Sequence, residues 1–172
     1  MPKNYTELFS TATQLVQAGK LDEAIDIYQS IQKEDSAEWF ANAQVNLGVL
    51  FYKQGKASEA IGAWQLIQKE DSRELFAKAQ FNLGVLFDEQ GKASEAIDIY
   101  QSIQKEDSAE WFANAQVNLG VLFYKQGKVS EAIGAWQLIQ KEDSRELFAK
   151  AQFNLGVLFD EQGKEVDFAI QQ

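Results

Sequence analysis

The sequence predicts an all-helical array of repeated helix pairs. Three observations predict it. The stretch Ala43 to Phe51 returns at Ala79 to Phe87, Ala115 to Phe123 and Ala151 to Phe159, each copy 36 residues after the last, and a fixed period in this range marks a repeat architecture. Apolar residues recur at three- and four-residue spacing, as on a helix face. Glycines punctuate the chain in the same register, at Gly19, Gly55, Gly91, Gly127 and Gly163, where a left-handed residue would end a helix.

The first helix is expected over residues 4 to 17, with Tyr5, Leu8, Phe9, Ala12, Leu15 and Val16 on its apolar face. A second runs from about Leu21 to Lys33, carrying Ala24, Ile25, Ile27, Tyr28 and Ile31. Asp35 followed by Glu38 reads as a capping-box start for the next helix. It recurs at Asp71-Glu74, Asp107-Glu110 and Asp143-Glu146. That longer helix, about Ser36 to Gln54, has two apolar stripes: Phe40, Ala43, Leu47, Leu50 and Phe51, then Ala41, Val45 and Gly48. Two stripes mean packing on more than one side. A shorter helix follows from about Ala57 to Lys69, and the long–short pair repeats. After Gly163-Lys164, Val166, Phe168 and Ile170 are expected to form a short closing helix.

Four glycines, Gly48, Gly84, Gly120 and Gly156, fall in mid-helix at one repeat position. Each costs roughly 1 kcal/mol against Ala, so close helix–helix approach is expected there. A longer period overlies the first. Residues 23–92 match 95–164 with one change, Ala57 to Val129, and the two halves of that 72-residue unit differ at ten positions. The chain therefore alternates two repeat types, as a recent duplication or an engineered array would.

The composition excludes several functions. The chain has 172 residues, 45% hydrophobic with one Pro, and a net charge of −10. That charge repels phosphate and no Lys/Arg cluster opposes it, so nucleic acid is not an expected partner. With no Cys and no His, disulfides, thiolate zinc sites, a Cys nucleophile and a His base are excluded. The acidic and basic side chains recur in register as solvated faces. No catalytic residue, metal ligand or cofactor is expected, and the chain reads as a non-enzyme. No glycine-rich phosphate-binding motif occurs. The N-terminus lacks an apolar signal core, and no apolar run reaches membrane-spanning length. A cytoplasmic protein without membrane contact is expected.

Asn46-Leu47-Gly48, with Phe51, Gly55, Ala60 and Trp64 after it, resembles the tetratricopeptide repeat. Leu-Gly, the aromatic that follows, the small residue of the second helix and its later aromatic stand at the family's spacing. They recur from Leu83, Leu119 and, without the second helix, Leu155. The Ala-Gln-x-Asn-Leu-Gly string is also similar to Sel-one-like repeats. The resemblance implies a single right-handed superhelical solenoid of helix-turn-helix repeats over residues 1–172, here with a 36-residue period: a divergent repeat at 4–34, full repeats at 35–70, 71–106 and 107–142, and a last one at 143–172. The chain departs from the family at Gln44, Gln80, Gln116 and Gln152, which replace its early Trp. Trp39-Phe40 and Leu75-Phe76 are expected to fill that space.

The resemblance also implies a concave groove, lined by the first helices, that binds peptide. Carried onto this sequence, the groove holds Asn42, Val45, Asn46, Val49, Tyr52 and Lys53, then Lys78, Phe81, Asn82, Val85, Asp88 and Glu89. It continues with Asn114, Val117, Asn118 and Tyr124, then Lys150, Phe153 and Asn154. Asn46, Asn82, Asn118 and Asn154 form a ladder. Each offers donor and acceptor to a peptide backbone, although packing against its own helix is as open to it. Val45 and Val117 are expected to be buried, and Phe81 and Phe153 to be the apolar contacts. Some members clamp a C-terminal carboxylate with Lys and Asn at the Val45 and Val49 positions. That clamp is lacking here, so chaperone-tail binding is not expected. Groove charge is balanced and gives no partner charge. The expected function is a scaffold binding an extended peptide. The alternative is a self-assembling repeat protein, with the uncapped last repeat as the contact between copies.

Overall fold

The structure is a computed structural model and describes residues 4–170, with backbone alone for 164–170. Among the described residues every regular element is an α-helix: α1 Tyr5–Gln17, α2 Leu21–Gln29, α3 Ala37–Lys53, α4 Ala57–Gln65, α5 Arg73–Glu89, α6 Ala93–Gln101, α7 Ala109–Lys125, α8 Val129–Gln137 and α9 Arg145–Ile170. The long helices start at the same point of each repeat. Contacts divide the chain into two compact units, Met1–Leu86 and Phe87–Gln172.

In the first unit α3 packs against both α2 and α4, and α1 against α2. This is why α3 has two apolar stripes. Ala12, Ala24, Tyr28, Ile31, Ala43, Leu47, Leu50 and Ala63 form its core, with Phe9, Trp39 and Phe51 partly buried around it. In the second unit α7 packs against α6 and α8, and α9 against α7 and α8. Ala113, Val117, Ala132, Trp136, Ile139, Leu155 and Leu158 are among its core residues.

The long helices are capped by serine, not by the expected aspartate. Ser36 is extended (φ −167°) and its hydroxyl accepts from the Trp39 N–H at 3.4 Å; Ser108 does the same for Trp111. The Ser72 and Ser144 hydroxyls accept from the Leu75 and Leu147 N–H groups. The aspartate before the serine has another task. Asp71 accepts the Gln68 N–H at 3.0 Å and takes Lys33 Nζ at 2.8 and 2.9 Å. Its side chain is only 4% exposed, so this corner is not simply a solvated turn. Lys105 and Asp143 repeat the pair in the second unit.

The short helices stop early, at Gln29 and Gln65 instead of Lys33 and Lys69, and this corner explains the second of these ends. An aspartate that bonds a main-chain N–H three residues back offers the backbone an alternative to the helix. Beyond the helix end Ile31 and Ile67 turn inward and are buried, each contributing about 1.5–3 kcal/mol. Trp39 does not fill the space beside Gln44. It stacks on Tyr5 (5.7 Å, 23°) and packs at a tilt on Phe9 (4.9 Å, 52°) of α1 instead. An open cavity of about 440 Å³ remains there, with Phe40, Gln44, Leu47 and Gly62 on its walls.

Three of the mid-helix glycines, Gly48, Gly120 and Gly156, fall into two classes. A Cβ on Gly48 would lie 2.1 Å from Trp64 Nε1, and one on Gly120 at the same distance from Trp136. These are the close approaches expected from the sequence. Gly156 is different: among the described residues nothing lies within 4 Å of its Cβ position. The reason is that α9 runs on through Gly163 to Ile170, where a helix end and a separate closing helix were expected. Left-handed turns form at Gly19, Gly55, Gly91 and Gly127 and not at Gly163. Five residues after each of those four stands a fully buried alanine, Ala24, Ala60, Ala96 or Ala132, small enough for the next helix to lie close. Five after Gly163 stands Phe168. The side chains of Val166, Phe168 and Ile170 lie outside the described residues.

The two classes respond oppositely to alanine. Gly48→Ala drives a methyl into a rigid, buried indole and is expected to cost about 1–3 kcal/mol despite its better helix propensity. Gly156→Ala has open space and is expected to gain up to about 1 kcal/mol. Urea denaturation followed by circular dichroism measures both; a stabilised Gly48→Ala contradicts the packing described.

Candidate functional site

The face of the long helices opposite the corners carries residues at three- and four-residue spacing, so several share one side. On α3 these are Val45, Val49 and Tyr52. Val45 is 1% exposed and Val117 2%, buried as expected from the sequence. One turn on, Val49 and Tyr52 meet Trp64 of α4 and Asn82 and Val85 of α5, around a pocket of about 210 Å³ whose wall includes Lys53. The same pocket recurs in the second unit, 72 residues later in sequence. There Val121, Tyr124, Trp136, Asn154 and Val157, with Phe153 beside them, surround about 150 Å³.

Trp64 serves two ends at once. Its Nε1–H donates to the Val45 carbonyl at 3.2 Å, and Trp136 donates likewise to Val117. The indole's only donor is thereby satisfied, leaving apolar ring to face the pocket. The Tyr52 ring stands 6.5 Å from the Trp64 ring, tilted 41°. The Tyr124 hydroxyl donates to the Glu161 carboxylate.

The asparagine ladder separates by repeat type. Asn46 Nδ2 donates to Asn42 Oδ1 at 3.4 Å. Asn118 Nδ2 donates to the Tyr100 hydroxyl at 3.0 Å. Asn114 Nδ2 donates to the Glu110 carbonyl at 3.0 Å. These four asparagines are thus engaged within the protein. Asn82 and Asn154 instead stand at the two Trp-floored pockets. Asn46 also borders a third pocket of about 200 Å³, with Val16, Tyr28 and Lys53. Phe153 is 70% exposed, whereas Phe81 is half-buried. Lys78 has an interaction within the protein, and Lys150 is exposed.

Reading the residues alone missed the two tryptophans. Trp64 and Trp136 read as repeat-register core, and at 2% and 3% exposed they are core. Their second role, as the floor of a pocket, depends on the neighbouring helix, which one repeat read alone does not place.

A family model of the tetratricopeptide repeat matches residues 9–71, 45–110 and 117–171. The chain belongs to the tetratricopeptide repeat family. No curated protein matches it. Tetratricopeptide repeats generally mediate protein–protein interaction or scaffolding, and the all-helical repeat fold agrees with that membership. Among the described residues no helix is long and apolar enough to cross a membrane.

Tyr100 of α6, the fully buried residue whose hydroxyl accepts from Asn118, is strongly perturbed. Burial pushes its hydroxyl up to about 12; the Asn118 hydrogen bond opposes this, and the Asp88 and Glu89 carboxylates add to it. Burial raises Tyr28 as well, with Thr13 opposing. A tyrosine whose folded value lies above its unfolded one favours the fold while neutral. That contribution is complete below the ordinary value of 10.0 and is lost as pH rises toward 12. The urea midpoint is therefore expected to fall across that window, and less steeply for Tyr100→Phe. Equal slopes for the two proteins contradict the assignment.

Proposed function

We propose that the chain is a protein-interaction scaffold in which the Trp-floored pocket of each unit takes one apolar side chain of an extended peptide. The observation that carries this reading is the pocket's recurrence, with the same Val, Tyr, Trp, Asn and Val in both units. A cavity of about 150 Å³ with apolar walls holds a benzene-sized group. Each pocket thus suits one leucine- or phenylalanine-sized side chain, whose burial is worth roughly 1.5–3 kcal/mol before the cost of association. Asn82 and Asn154 supply the donor and acceptor for the peptide backbone at the lip, whatever the peptide's sequence. No step of this reading is catalytic.

Peptide-library capture on the intact protein and on Asn82→Ala/Asn154→Ala tests the proposal, with circular dichroism confirming that both are folded. The expected result is capture of peptides carrying apolar residues, weakened about 2- to 12-fold for each asparagine lost. Equal capture by both proteins, or no capture by either, overturns it.

A further inference from the structure

We propose that α9 of one chain docks on α2 of a second copy, taking the place that α1 holds there, so that copies join end to end. The inference is independent of peptide binding. It starts from an open helix face. In two pairs a glycine of the long helix meets an aromatic of the short one, Gly48 with Trp64 and Gly120 with Trp136, and at the equivalent positions of the first pair Ala12 and Tyr28 are buried in one core cluster. In α9 the corresponding residue is Gly156, which is exposed, with nothing within 4 Å among the described residues. Its neighbour on the same face, Phe159, is 51% exposed. The equivalent Phe51 and Phe123 pack against the cores of their units.

The sequence says which helix fits such a face. Residues 145–164 are identical to 73–92, and in this chain 73–92 run directly into Ala93–Gln101. The last seven residues of that helix, 95–101, are identical to 23–29 of α2. A second copy's α2 thus carries the side chains, including the aromatic at Tyr28, that follow this long-helix sequence elsewhere in the chain. The helix now on α2 is the divergent one. α1 carries Ala12 at the repeat position where α9 carries Gly156, and a glycine admits an aromatic more closely than an alanine. A contact of this kind is heterologous, joining unlike surfaces of successive copies.

Two substitutions with opposite expectations test the docking. Gly156→Phe places a ring in the open slot, where among the described residues nothing lies within 4 Å of the Cβ position, so it is expected to fold and to abolish association. Phe9→Ala removes a ring that packs edge-on against Tyr28 at 5.2 Å and against Trp39 at 4.9 Å. It loosens α1 and is expected to move association to severalfold lower concentration. Sedimentation velocity across a concentration series reads both, with circular dichroism as the folding control. Association of the wild type or of Phe9→Ala that disappears when Gly156→Phe is added supports the docking. Wild type and Phe9→Ala that both stay monomeric, or association that survives Gly156→Phe, overturns it.

Discussion

The contact between a glycine on a long helix and an aromatic ring on the short helix after it sets much of what surrounds it. At Gly48 the Trp64 indole occupies the volume a methyl would need. That closeness lets Nε1 reach the Val45 carbonyl on the far side of the helix face. The same ring then emerges as the floor of the pocket between α3 and α5. One small residue therefore fixes the helix pair, satisfies a buried donor and creates the surface available to a partner. The cost of roughly 1 kcal/mol for a glycine in a helix is offset by an aromatic buried to within a few per cent of completion.

Much of the fold was legible because a repeat states its rules several times. The positions of α1 to α8, the left-handed glycines and the burial of Val45 and Val117 all follow from register and periodicity. What the sequence hid was competition between partners for one group. Asp71 and Ser72 are both acceptable caps. Only the arrival of Lys33 from the preceding corner shows that the aspartate is taken and the serine left to cap. Gly163 has the neighbours of a helix end as far as Lys164. The missing feature is the small residue five positions on, which a local turn signal does not contain.

The candidate site was legible in outline and blurred in detail for the same reason. Asn46, Asn82, Asn118 and Asn154 are indistinguishable in register. Their surroundings alternate with the two repeat types: Asn118 faces a tyrosine hydroxyl and Asn46 another asparagine, while Asn82 and Asn154 border apolar cavities. Residues that differ between the repeat types separate the asparagines bonded within the protein from those at the pockets, while Asn46 and Asn118, of one repeat type, still take different partners. Tyr100 stands where the other repeat type has tryptophan, and it brings an acceptor to Asn118 that an indole lacks.

The lysine–aspartate corner has an evolutionary consequence. Lys33 holds Asp71 and Lys105 holds Asp143, a donor from one corner and an acceptor from the next. Every Lys-Glu-Asp corner carries both halves, at 33–35, 69–71, 105–107 and 141–143. Unequal recombination that inserts or removes whole repeats therefore leaves each interior corner with a complementary neighbour. An array linked in this way can change length without disturbing its interior.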